Sequence, residues 1–168
     1  MLKTKNDNQV YIDGVSLQKI SEMHGTPCYI YSKNSLINEF EEYKKAFKNK
    51  KDILICYSVK ACSNLNILKI FNDLGSGFDI VSLGELERLK YIGADPKKIV
   101  FSGVAKSDEE IKASLEYGIL LFNVESIAEL ENINSIANKM DTKANISIRV
   151  NPDICLLYTS DAADDGVG

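Results

Sequence analysis

Lys60 closes an apolar run of strand length, Ile53–Val59. A lysine carried on the end of such a strand is expected to be partly desolvated, and desolvation moves an ammonium towards the nucleophilic free amine. Spacing alone leaves the plainer alternative open, a solvated lysine at a strand end. Asp79 lies one residue into the next apolar run and could meet Lys60 across adjacent strand ends. Its alternative role, capping the helix that follows, is already filled by Ser82. Arg149 sits in a further apolar run, where a buried guanidinium needs an anionic or polar partner. Ser82, Gly103, Asn123, Glu125 and Asn151 share the same kind of position, just past an apolar run. Glu85 has a structural explanation in a helix cap, set out below.

Other chemistries find little support. The chain holds one histidine, His24, placed before a Gly25-Thr-Pro27 turn at a helix end, so a Ser/His/Asp set cannot be assembled. Four cysteines (Cys28, Cys56, Cys62, Cys155) lack metal-ligand spacing, which predicts no metal site and a reducing, cytoplasmic setting. Gly75-Ser-Gly77 precedes a strand instead of following one, unlike a dinucleotide fingerprint. A net charge of −4 over 168 residues, with a pI near 5.1, argues against a nucleic-acid partner. The apolar runs are too short to span a bilayer and the start carries no signal-peptide core, so no membrane partner is expected.

The elements that must position these residues recur. Ile53–Val59, Phe78–Val81, Ile99–Ser102, Ile119–Val124 and Ile146–Val150 are β-branched and nearly continuous, as strands of a parallel sheet buried on both faces read. Their starts fall every 20 to 27 residues. Between them lie helical stripes: Leu65, Leu68, Phe71 and Leu74, then Ile127, Leu130, Ile133, Ala137 and Met140. Ser82-x-x-Glu85, Ser107-x-x-Glu110 and Ser126-x-x-Glu129 each predict a capping box that opens a helix. Gly75, Gly93 and Gly118 predict left-handed helix ends. The period fits a (β/α)₈ barrel, in which function sits at the carboxyl ends of the strands, and leaves a doubly wound open sheet as the alternative.

Ahead of these units, Val10–Ile12 predicts a strand, Asp13-Gly14 a turn, Leu17–Met23 a short helix and Pro27–Tyr31 another strand. Leu36, Phe40, Tyr43 and Phe47 continue as a helix stripe. Residues 154–168 show no period and resemble a read-through tail that takes no part in the fold. The expected division is therefore an N-terminal segment over 1–26, an incomplete barrel over 27–153 and that tail.

The segment Tyr57-Ser-Val-Lys60-Ala-Cys-Ser-Asn64 is similar to the cofactor-lysine motif of the pyridoxal-phosphate decarboxylases with the alanine-racemase-like barrel, which include diaminopimelate, ornithine and arginine decarboxylases. Gly75-Ser-Gly-Phe-Asp-Ile-Val-Ser-Leu-Gly-Glu-Leu-Glu87 resembles the diaminopimelate branch. So do Ile99-Val-Phe-Ser-Gly-Val-Ala-Lys106, Phe122-Asn-Val-Glu-Ser126 and Arg149-Val-Asn-Pro-Asp153. The resemblance implies an α/β fold, a partial barrel with about five of eight βα units and the C-terminal β domain missing. It implies pyridoxal 5′-phosphate as cofactor, bonded to Lys60, with Asp79 beside that lysine and Arg149 near the cofactor. The reaction implied is decarboxylation of meso-2,6-diaminopimelate to L-lysine and CO₂, the ring accepting the electrons of the breaking bond. It also implies a homodimer.

Two departures stand out. Cys62 occupies a place where the family has asparagine. The family's ring-stacking histidine, Gly-rich phosphate loop, second β domain and cross-dimer cysteine would all fall beyond Asp153, so the chain is expected to be an N-terminal fragment, inactive alone. Alternatives are a sister decarboxylase of ornithine, arginine or carboxynorspermidine type, and a non-catalytic pyridoxal-phosphate-binding barrel.

Overall fold

Five short strands lie side by side in chain order, all parallel: β4 (Cys56–Ser58), β5 (Gly77–Ile80), β6 (Ile99–Phe101), β7 (Leu121–Val124) and β8 (Ile146–Ile148). A doubly wound sheet reverses its strand order at a switch point. Here the order never reverses, which is the arrangement of a partial (β/α) barrel. In the computed structural model the described residues are 2–4, by backbone alone, and 9–150; Asn151, Cys155 and the 154–168 tail lie outside them.

Each crossover supplies a helix: α3 (Leu65–Asp73), α4 (Leu83–Tyr91), α5 (Asp108–Tyr117) and α6 (Ile127–Lys139). Their apolar stripes bury Leu68, Phe71, Leu86, Leu89, Ile111, Ile133 and Ile136 against one face of the sheet. That face contributes Phe78, Ile80, Ile99, Phe101, Phe122 and Val124, all essentially without solvent exposure. At the start of the sheet, Tyr57 stacks on Phe71 with ring centres 4.1 Å apart, and Phe40 of α2 (Lys33–Ala46) meets Phe71 edge-on. Gly77 permits the close approach there, since a Cβ would lie 2.7 Å from the Lys98 carbonyl oxygen.

Helix boundaries follow the serines and glycines. Gly75, Gly93 and Gly118 all take positive φ, and a fourth helix end, at Asp141, uses the same left-handed turn without a glycine. Only Ser107/Glu110 forms the reciprocal capping box in full. At the other two starts Ser82 and Ser126 accept from the third helical amide as expected, but Glu85 and Glu129 bond one residue further back, to the Val81 and Glu125 amides. The cap residues explain the shift: φ is near −158° and −151° at Ser82 and Ser126 against −72° at Ser107, which turns the cap amide away from the glutamate.

The N-terminal segment forms a three-stranded antiparallel sheet of β1 (Leu2–Thr4), β2 (Val10–Ile12) and β3 (Val15–Ser16), then α1 (Leu17–His24). Asp13, in the β2–β3 turn, accepts from Ser32 Oγ at 2.8 Å and ties this sheet to the start of α2. The strand expected over Pro27–Tyr31 is absent: residues 28–32 pair with no ladder, and Tyr29 is 93% exposed. An apolar run becomes a strand only where a neighbouring edge can take its hydrogen bonds, and none of the described strands does so here.

Candidate cofactor site

Parallel register sorts the strand residues onto two faces, because side chains alternate along each strand. Ser58 pairs with Asp79, Asp79 with Val100 and Val100 with Leu121, on the face away from the helices. Asn123 and Ser147 pair further along the same face. These residues are half-buried or exposed, whereas the opposite face is closed. The expectation of strands buried on both faces is thus corrected. The inner face is mixed: Ser58, Asp79, Asn123 and Ser147 are polar while Val100 and Leu121 are apolar, so its period of two is hidden in the sequence.

Lys60 starts two residues beyond Ser58, within a 3₁₀ turn over Val59–Ala61. That turn carries its side chain off the sheet. Lys60 is exposed and makes no hydrogen bond or ion pair among the described residues, in contrast to the partial desolvation its strand suggested. Val59 beside it is fully buried and anchors the turn.

Asp79, in register with Ser58, turns towards the other neighbouring strand. Ser102 Oγ donates to its Oδ1 at 2.5 Å, and Asn123 Nδ2 donates to Ser102 Oγ at 2.7 Å. Three strand ends are therefore stitched by one hydrogen-bond chain running from β7 to β5. Cys56 lies on the same face. Burial pushes its thiol above the ordinary value, and the Asp79 charge pushes it further in the same direction.

Arg149 extends beyond β8, at the opposite edge of the sheet from Lys60. Four strand spacings amount to about 19 Å along the sheet. Its side chain is half-exposed at 52%, not buried as its strand suggested, because β8 is an edge of the described sheet. The anionic partner expected for it exists: Glu125 Oε1 accepts from Arg149 Nη1 at 3.1 Å.

Lys106 carries weight that spacing did not reveal. Its side chain is 1% exposed, and its ammonium donates to the carbonyls of Gly103 and Asn123, each at 2.8 Å, and to Glu129 Oε1 at 2.7 Å. Glu129 Oε2 in turn accepts the Glu125 amide at 2.7 Å. Ser58, Ser102 and Glu129 likewise went unassigned to the site; the first two were legible only as the small polar members of the alternating face.

Cys62 lies in the turn after Lys60. Its backbone carbonyl accepts from Tyr57 Oη at 3.4 Å, and a hydrogen bond between its side chain and Tyr31 raises the Tyr31 phenol. The place taken by asparagine in the family is thus filled by a thiol with local partners.

The carboxyl ends of β4 and β5 carry groups a phosphorylated pyridine aldehyde would need: an exposed amine on Lys60 and, on Asp79, a carboxylate held by Ser102. Ser58 Oγ, beside them, is buried with no hydrogen-bond partner among the described residues. A buried hydroxyl without a partner is costly unless a further group satisfies it. On these three points the residues fit the cofactor.

The pyridoxal-binding domain of pyridoxal-dependent decarboxylases matches residues 33–159. Diaminopimelate decarboxylase of Haemophilus influenzae is 51% identical over 147 residues, 88% of this chain and 35% of that protein. The enzyme of that name from Aquifex aeolicus is 47% identical over 88% of this chain and 34% of its own length. The crystal structure of diaminopimelate decarboxylase from M. jannaschii in complex with L-lysine superposes with a TM-score of 0.88 at 35% identity, covering 93% of this chain and 37% of that one. The chain spans about a third of the length of the curated relatives it matches. With the strand order, the lysine turn and the match over most of the chain in agreement, the chain belongs to the pyridoxal-dependent decarboxylases, and residues 33–159 correspond to their pyridoxal-binding domain.

Proposed function

We propose that this chain is the cofactor-lysine part of a meso-diaminopimelate decarboxylase, which releases CO₂ and L-lysine and works as a cytoplasmic homodimer. The observation that carries the reading is the Tyr57–Asn64 motif at the carboxyl end of β4 in a chain 51% identical to a diaminopimelate decarboxylase. No helix among the described residues is long and apolar enough to cross a membrane.

Pyridoxal phosphate, when bound, supplies the conjugated ring that takes up the electrons of the breaking Cα–carboxylate bond. Lys60 would hold it through Nζ, which makes no hydrogen bond or ion pair among the described residues. Asp79, held by Ser102, keeps a negative charge beside the end of β4, and such a charge favours a protonated nitrogen nearby. Ser58 Oγ offers a hydroxyl to a polar group of the cofactor. Arg149, steadied by Glu125, supplies positive charge from the far edge of the same face. The 168-residue chain alone neither decarboxylates nor retains the cofactor firmly.

The test uses the complete protein that carries this chain, supplied with pyridoxal phosphate and, in parallel, meso-diaminopimelate, L-ornithine and L-arginine. CO₂ and L-lysine are expected from the first alone, and Lys60→Ala is expected to lower the rate by about a thousandfold or more. Preference for ornithine or arginine would overturn the substrate assignment.

A further inference from the structure

The proposed site contains two polar arms: Asp79 with Ser102 and Asn123, and Arg149 with Glu125. They meet at one buried pair. Lys106 Nζ holds the Asn123 carbonyl at 2.8 Å, and its ion-pair partner Glu129 holds the Glu125 amide at 2.7 Å. Lys106 also holds the Gly103 carbonyl, one residue beyond Ser102. Gly103 itself takes a φ of +93° against Val81, so the loop after β6 is folded tightly at this point.

We propose that Lys106 and Glu129 are positioning residues of the cofactor site, setting the carboxyl ends of β6 and β7 so that Asp79 and Arg149 are both presented on the inner face. Neither residue is free to act on a substrate. The ammonium's three protons are used on three acceptors, and both carboxylate oxygens of Glu129 are engaged. A tetrahedral ammonium can meet three acceptors from different directions, whereas a planar guanidinium presents its donors in a fork. A buried ion pair is a weak source of net stability, so stability alone does not explain why this pair is buried at the strand ends. The pair joins residues 23 positions apart, so it locks one βα unit to the next rather than bracing a single helix.

The inference rests on the reading that Asp79 and Arg149 flank the cofactor. In the complete protein, the wild type is first shown to hold pyridoxal phosphate at Lys60; failure at that step would sink the functional reading and is scored separately. Two variants are then compared, Lys106→Met with Glu129→Gln, which removes both buried charges together, and Lys106→Arg, which keeps the charge and changes its geometry. Both are expected to fold, to show an altered visible circular dichroism of the bound cofactor, and to lose about tenfold or more in kcat with KM shifted less than about threefold. A folded variant with wild-type dichroism and a kcat within about twofold would overturn the proposal. Loss of folding in both variants would assign the pair to folding alone and overturn it as well.

Discussion

Lys60 and Lys106 show how far one residue type can diverge within one chain. Lys60 is exposed on a 3₁₀ turn with no partner among the described residues, while Lys106 is buried with three. Their sequence contexts did not separate them: both follow a strand, and both lie in segments that resemble the family, though only the first lies in its cofactor-lysine motif. The partner that explains Lys106 is Glu129, which reads in sequence as one more capping glutamate. Removing only one member of a buried pair leaves the other charge uncompensated. Lys106→Met alone should therefore cost about 3–5 kcal/mol in urea unfolding of the chain. A loss below about 1 kcal/mol would show that Glu129 finds another partner. The cysteines make a second prediction at this scale. Cys56 is pushed upward by burial and by the Asp79 charge, whereas Cys28 is exposed. Iodoacetamide near neutral pH should label Cys28 well before Cys56, as read by peptide mass spectrometry, because the thiolate is the reactive form. Equal rates would contradict the placement of Cys56.

At the scale of elements, helix starts and stops were the most legible features, since serine caps and glycine ends act within a few residues. What the sequence concealed was the cap backbone: whether a glutamate reaches the cap amide or the one before it depends on φ at the serine, which no residue type encodes. The polar residues of the inner face were concealed because apolar ones, Val100 and Leu121, stand among them. Pro27–Tyr31 has a strand-like composition but no partner edge. Glu110 allows a test of the element account. Burial works to raise its carboxyl, but hydrogen bonds from the Ser107 and Leu83 amides and the Ser107 hydroxyl, with the nearby Lys106 charge, outweigh it and hold the group below the usual glutamate range. A depressed carboxyl contributes stability that is present above the unfolded-state value and lost as pH falls through the folded one. Glu110→Gln should therefore lower stability near neutrality, change little below the folded value where the carboxyl is already protonated, and so flatten the acid limb of the stability curve. An unchanged acid limb would mean that the Glu110 bonds to α4 and α5 are not held in solution.

At the scale of the molecule, among the described residues the parallel sheet ends in two edges, β4 and β8. Ile148 is 69% and Ile127 77% exposed, although both belong to apolar stripes, and an exposed edge with apolar neighbours invites association. The 168-residue chain should therefore self-associate as its concentration rises, as followed by light scattering; a monomer over the whole range would show that the edges are better protected than the fold implies. The barrel class was legible from the βα period, whereas the unreversed strand order needed the structure. The central claim, that this chain brings a cofactor lysine to the end of β4, is tested most directly by chemical trapping. The complete protein is loaded with pyridoxal phosphate, reduced with borohydride, digested and mapped. The account predicts a pyridoxyl group on the peptide containing Lys60 and none on that of Lys106; label on any other lysine, or none on Lys60, would contradict it.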